Sequence, residues 1–330
     1  MELITPEIQR FSLAIGSLLA LFWQQRNGIT PGGIIVPGIL TNLFLVSPLW
    51  CLAVIAMAYL IQWIYQRWFE RLQHQRRRPM YILGVLSLLI SPPLALAALQ
   101  LGVIAGSLDG ITGSLLPAVI AFNLHRQSWR PVSKGMLVVT TGTLLFTLTI
   151  VVIGSALFRI DFNELNQYYR HVSSIQLHAK SIQFLIALLV GMAIYKRTHQ
   201  RPGGYVVAPM AAALLLEPLS AAMFVVGCLS VEQLVHAISA RSLIVGLNRY
   251  VVALLLSIAF VWSVEVLFIQ LGMDALPFQG NHILVVIAIL SYANDVVLYG
   301  RKQVLPWMLV MISSAMGALF ITHQLWTLAQ

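Results

Sequence analysis

NGITPGGIIVPGIL occupies Asn27 to Leu40, and RPGGYVVAPM occupies Arg201 to Met210. Pro31-Gly32-Gly33 maps onto Pro202-Gly203-Gly204 at an offset of 171 residues. Each copy follows one apolar run and precedes another. Proline removes a backbone donor and resists helix, and glycine reaches dihedrals closed to other residues. Non-helical backbone inside a bilayer persists only where protein buries it or it lines a cavity. Two interruptions at matching places in two halves therefore point to a working site. In the first copy Pro31-Gly32-Gly33 opens the motif and Pro37-Gly38 closes it. The three apolar residues between them are expected as a short extended hairpin tip. In the second copy Ala208 stands where Pro37 would be, and Pro209 is shifted by one residue.

The chain around these motifs is 59% hydrophobic and only 9% charged. A soluble domain carries about a quarter charged residues, so this is an all-α polytopic membrane protein. The start, MELITPEIQR, lacks the basic region of a cleaved signal peptide, and the first apolar run reads as a retained span. Cys51 and Cys228 lie in apolar runs at unmatched positions and read as buried small hydrophobes.

Apolar runs fall near 11–25, 42–66, 80–105, 112–124 and 136–158, and again near 178–195, 212–236, 250–271, 281–299 and 304–326. The expected organisation is therefore a first membrane repeat over 1–158, a polar linker over 159–177 and a second, diverged repeat over 178–330. Five segments per repeat, an odd number, make the two repeats inverted. With the N-terminus inside, twelve Lys and Arg fall on inside loops and eight outside, which has the expected sign. Five arginines, Arg67, Arg71, Arg76, Arg77 and Arg78, crowd one loop beside Trp63 and Trp68, a docking place for a partner or for lipid head groups. The net charge of +9 is loop charge of this kind. No loop is long enough to build a nucleic-acid surface.

A second paired feature is DGITGSLLPAVIAFNLHRQ, Asp109 to Gln127, against QGNHILVVIAILSYANDVV, Gln279 to Val297. Asn123 and Asn294 fall at the same place within a residue, and Pro117 is expected to break the first segment. Short broken helices near the midplane are where transporters place substrates. Acids inside apolar runs are Glu217, Glu232, Glu265 and Asp295, all in the second half. Glu232 and His236 are four apart and are placed to share a proton; Gln62 takes the place of Glu232 in the first half. Glu217 adjoins Pro218 and suits a helix start. No phosphate-binding loop, HExxH or GxSxG motif occurs, and no metal set or cofactor site is expected.

The run GITPGGIIVPGIL closely resembles the early motif of the small membrane subunit of poly-gamma-glutamate synthesis machineries, the PgsC/CapC family. Gly28, Pro31, Gly33, Val36, Pro37, Gly38 and Leu40 carry the match. Pro117, Ile120, Ala121 and Gln127 match a later family segment, with Phe122 where the family has Asn. The chain looks like a fused tandem of two diverged copies. The resemblance implies a non-catalytic multi-pass subunit of the bacterial cytoplasmic (inner) membrane, in a machinery that makes and exports an anionic polyamide. Its implied partners are a cytosolic ATP-dependent amide ligase, other membrane subunits and membrane lipid. Pro31, Gly32, Gly33, Pro37, Gly38, Pro117, Asn123, Pro202, Gly203, Gly204 and Asn294 are the candidates for the polymer's path. The alternative is a stand-alone secondary transporter of a small anionic solute.

Overall fold

The structure, a computed structural model, describes residues 6–70, 78–101, 110–158, 174–198, 206–215, 217–242, 244–273, 276–278 and 282–329. Among the described residues there are twelve α-helices and no strand. The chain divides into two compact units, Met1–His171 and Val172–Gln330.

The first unit holds α1 (Pro6–Asn27), α2 (Val36–Val46), α3 (Pro48–Ile64), α4 (Arg78–Gln100), α5 (Gly110–Gln127) and α6 (Trp129–Phe158). The second holds α7 (Ser174–Thr198), α8 (Val207–Leu214), α9 (Pro218–Ser242), α10 (Gly246–Gln270), α11 (His282–Tyr299) and α12 (Arg301–Ala329). In the first unit the packed pairs are α1–α2, α1–α6, α2–α3, α2–α5, α2–α6, α3–α4, α3–α5, α4–α5 and α5–α6. Adding six to each label gives the pairs that pack in the second unit. The repeat read from the sequence is thus a repeat of packing. The five expected apolar segments are the five long helices of each unit, and each Pro–Gly motif adds one short helix, α2 or α8.

Among the described residues, five helical stretches are long and apolar enough to cross a membrane: Pro48–Phe69, Trp129–Gly154, Pro218–Ser242, Gly246–Gln270 and Arg301–Ile321. Much of their apolar surface faces outward, with Leu137, Leu145, Phe146 and Val152 exposed along α6. That pattern suits a lipid surround, where packing and small residues hold helices together. Ala118 and Ala121 of α5 accordingly sit against Ile61 of α3, Tyr65 just beyond its end and Leu83 of α4.

Local chemistry sets the helix ends of the first unit. Gly28, at φ +71, ends α1, and its N–H returns to Gln24 O at 2.7 Å. Ser47 starts α3 by accepting from Trp50 N at 3.3 Å, and Pro48 follows in the first turn. A π-helical turn, Tyr65–Phe69, extends α3. Ser128, at φ +76, makes the tight junction from α5 to α6. Gly300, at φ +85, takes the same place between α11 and α12.

Chain direction within the first unit follows from side-chain neighbours. Gly16 of α1 faces Gly38 of α2, and Ser12 bonds Asn42, so these helices are antiparallel. Trp23 meets Gly135 and Leu19 meets Gly142, so α1 and α6 are antiparallel too. Tyr65 stacks edge-on to His125 at 5.0 Å, which brings the C-terminal ends of α3 and α5 together. The Pro–Gly stretch and α2 supply a reversal between α1 and α3, and the chain enters and leaves this unit at one end.

Candidate functional site

Thr30 joins the Pro–Gly motif to α5. Its backbone N–H donates to Gln127 Oε1 at 2.9 Å. Its hydroxyl lies 2.9 Å from Asn123 Oδ1 and from Gln127 Oε1, so one hydrogen serves two acceptors. Asn123 Nδ2 donates to Gly32 O and to Val119 O, each at 2.8 Å. Asn123 and Gln127 are one turn apart on α5 and present one face. Gly32 N–H donates to Thr30 O at 2.9 Å. A non-helical stretch of backbone is thereby fixed by neutral groups that bond one another.

The glycines are required by shape. Gly32 and Gly33 have φ of +74 and +137. A Cβ on Gly33 would lie 2.9 Å from Val36 Cγ2 and 3.1 Å from Val119 Cγ1. Only glycine combines that dihedral with that approach. Gly38 has another task. A Cβ there would lie 2.6 Å from Leu13 Cα and 2.7 Å from Ser12 O, so it lets α2 lie backbone to backbone on α1. Asn42 Nδ2 donates to Gln9 O at 3.2 Å and secures the same pair.

Three local expectations need correction. Ile34 and Ile35 do not form an extended tip: Ile35 is already in the helical region at φ −86, ψ −15, and Val36 begins α2. Pro37 therefore opens a helix, where its missing N–H costs nothing, and does not close a loop. Pro117 does not break its segment, because α5 runs through it and buries it. The Glu232–His236 proton pair does not form. His236 is exposed, while Glu232 receives Arg301 Nε at 2.6 Å and the Tyr292 hydroxyl at 3.2 Å.

The other singled-out residues are dispersed. Pro202, Gly203 and Gly204 lie outside the described residues, as do Arg71, Arg76 and Arg77. Arg78 begins α4, and Arg67 is exposed in the π-helical turn. Asn294 is half-buried and donates to Asp295 Oδ1 at 3.3 Å. Asp295 and Glu265 are buried. Glu217 is exposed at the start of α9, accepting from the Ser220 hydroxyl at 2.9 Å, which fits the expected helix start. Cys51 and Cys228 are free and buried. No group of three metal-binding side chains occurs among the described residues. Sequence reasoning passed over Thr30 and Arg301 as site residues, and it quoted Gln127 only as a family match. Their signal was position: Thr30 directly precedes the motif, and Gln127 lies four residues from Asn123.

The sequence model described as Capsule biosynthesis CapC matches residues 15–133 and again residues 186–293. The two matches cover more than half of the chain. This chain belongs to the CapC capsule biosynthesis family. The first CapC match contains the whole Thr30–Asn123–Gln127 assembly, and the second spans Pro202-Gly203-Gly204 and most of α11. Two matches in one chain are what a tandem of two CapC copies requires. No curated protein and no solved structure matches the chain. The protein is thus a multi-pass membrane member of a capsule biosynthesis family, built as two repeats.

Proposed function

We propose that this chain is the integral membrane subunit of an anionic polyamide (poly-gamma-glutamate-like) synthesis and export machinery. It works without catalysis of its own, in the bacterial cytoplasmic (inner) membrane. It anchors a cytosolic ATP-dependent ligase, joins other membrane subunits and forms the polymer's path. The carrying observation is the CapC match in both halves, the first enclosing the fixed Pro–Gly backbone. The polar groups that hold the motif are neutral, so a path beside it would carry an anionic chain without tight ion pairs. Passage requires binding weak enough to be released and spread over several sites. Ligase docking is assigned to the basic stretch with Arg71, Arg76, Arg77 and Arg78.

Charge reversal of Arg76, Arg77 and Arg78 tests docking: recovery of the ligase with the tagged membrane subunit is expected to fall. Unchanged recovery removes the docking role. Normal surface polymer in a strain lacking this chain removes the whole reading. A stand-alone transporter of a small anionic solute is the second reading, favoured by the buried Glu232, Glu265 and Asp295 of the second unit. Anion uptake into vesicles holding this chain alone would support it.

A further inference from the structure

One end of the first unit gathers cations and indole rings on its surface. Trp63 and Trp68 of the α3 end are exposed and meet edge to face, with ring centroids 6.1 Å apart. Arg67 lies between them in sequence and is exposed. The Tyr65–His125 ring contact places Arg126, at the end of α5, beside this turn. A hydroxyl bond between Tyr59 and Ser133 ties α3 to α6 one turn below Trp63 and one turn below Trp129. Trp129 is exposed, and the Arg130 guanidinium carbon lies 5.3 Å from its ring centroid. Acidic side chains are scarce here: among the described residues of this unit they are Glu7, in the first turn of α1, and Glu70.

The second repeat treats the corresponding positions differently. Arg301, the first residue after the Gly300 junction as Trp129 is after Ser128, closes on Glu232 at 2.6 Å. Gln62 stands where Glu232 does, so the first repeat has no such carboxylate at that place, and the Arg130 guanidinium rests on a surface indole. Tryptophan rings favour the membrane interface, and a cation held on a ring at that depth attracts the phosphate of an anionic leaflet. A soluble polyanion would gain nothing from the three exposed rings.

From this geometry we infer that the patch formed by Trp63, Arg67, Trp68, Arg126, Trp129 and Arg130 binds the phosphate headgroup of an anionic phospholipid. The inference is independent of the polymer reading. The test uses the whole purified protein in mild detergent, titrated with phosphatidylglycerol or with phosphatidylcholine of the same acyl chains and read by native mass spectrometry. Phosphatidylglycerol is expected to bind more tightly. Arg130→Gln and Trp129→Ala, both at the surface, should each weaken it about fivefold, the equivalent of one basic contact at a membrane surface. Phosphatidylcholine binding should not change, and Arg241→Gln, at the end of α9, should alter neither lipid. Equal affinity for the two lipids, or phosphatidylglycerol binding unaffected by Arg130→Gln, overturns the inference. Displacement of the lipid by millimolar inorganic phosphate would show a site for free anions and overturn it as well.

Discussion

Asn123→Ala removes the central fastener of the Pro–Gly loop, and its cost is calculable. The Gly32 carbonyl, buried with its residue, loses the amide donor 2.8 Å away. A buried acceptor left without a donor costs about 1–3 kcal/mol. The bond to Val119 O adds little, because that carbonyl also lies in the α5 hydrogen-bond ladder. Thr30→Val removes only the hydroxyl and keeps the Thr30 N–H bond to Gln127. Its expected cost is smaller, near the average of about 0.6 kcal/mol for a hydrogen bond between membrane helices. The coupling between the two substitutions should also be about 0.6 kcal/mol, kept low because the Thr30 hydrogen can turn to Gln127 when Asn123 is absent. Denaturant unfolding in mixed micelles, followed by far-ultraviolet circular dichroism, measures all four corners of the cycle. An Asn123→Ala cost no greater than that of Thr30→Val, or two effects that simply add, would refute this role for Asn123.

Gly38→Ala should cost about 1–3 kcal/mol, because the new carbon meets the α1 backbone at Leu13 and Ser12, and α2 has to move away. Gly227→Ala should cost less in the same unfolding assay, since its carbon would meet the ends of the Phe260 and Ile289 side chains, which can rotate. Ser128→Gly should stabilise the protein by about 1 kcal/mol, because a residue with a Cβ holds φ +76 there while the second repeat already uses Gly300. Single cysteines placed near the N-terminus and in the linker at 159–173 should react with an impermeant thiol reagent from the same side of the membrane, as the six alternating helices of the first unit require. Labelling from opposite sides would contradict that alternation.

The repeat was legible because composition and the Pro–Gly offset are long-range regularities that survive divergence. The pairing of the motif with the Asp109 to Gln127 segment was legible only as two separate features. Their junction depends on Thr30 and Gln127, two polar residues whose partners lie 97 positions apart. Hydropathy gave no sign of α2, because the apolar run from Leu43 onward passes through Ser47-Pro48 with a single polar residue. Ser47 ends one helix and caps the next, which is a hydrogen-bonding event and not a hydropathy event. Pro117 misled for a related reason. Proline disfavours a helix on average, yet α5 packs against α3 and α4 along its length and carries it. Glu232 suggested His236 by helical spacing, whereas the partner that wins, Arg301, comes from another helix.

The most direct test of the account is the amount of anionic polymer at the cell surface in a strain whose only copy of this chain carries Gly33→Val. Valine there meets Val36 and Val119 at a φ of +137 and must displace the loop. Gly317→Ala is the control, since Gly317 is helical and its added carbon meets nothing within 4 Å. With equal protein in the membrane, Gly33→Val is expected to abolish surface polymer and Gly317→Ala to leave it unchanged. Full surface polymer with Gly33→Val would contradict the account and leave the Pro–Gly motif as a packing turn.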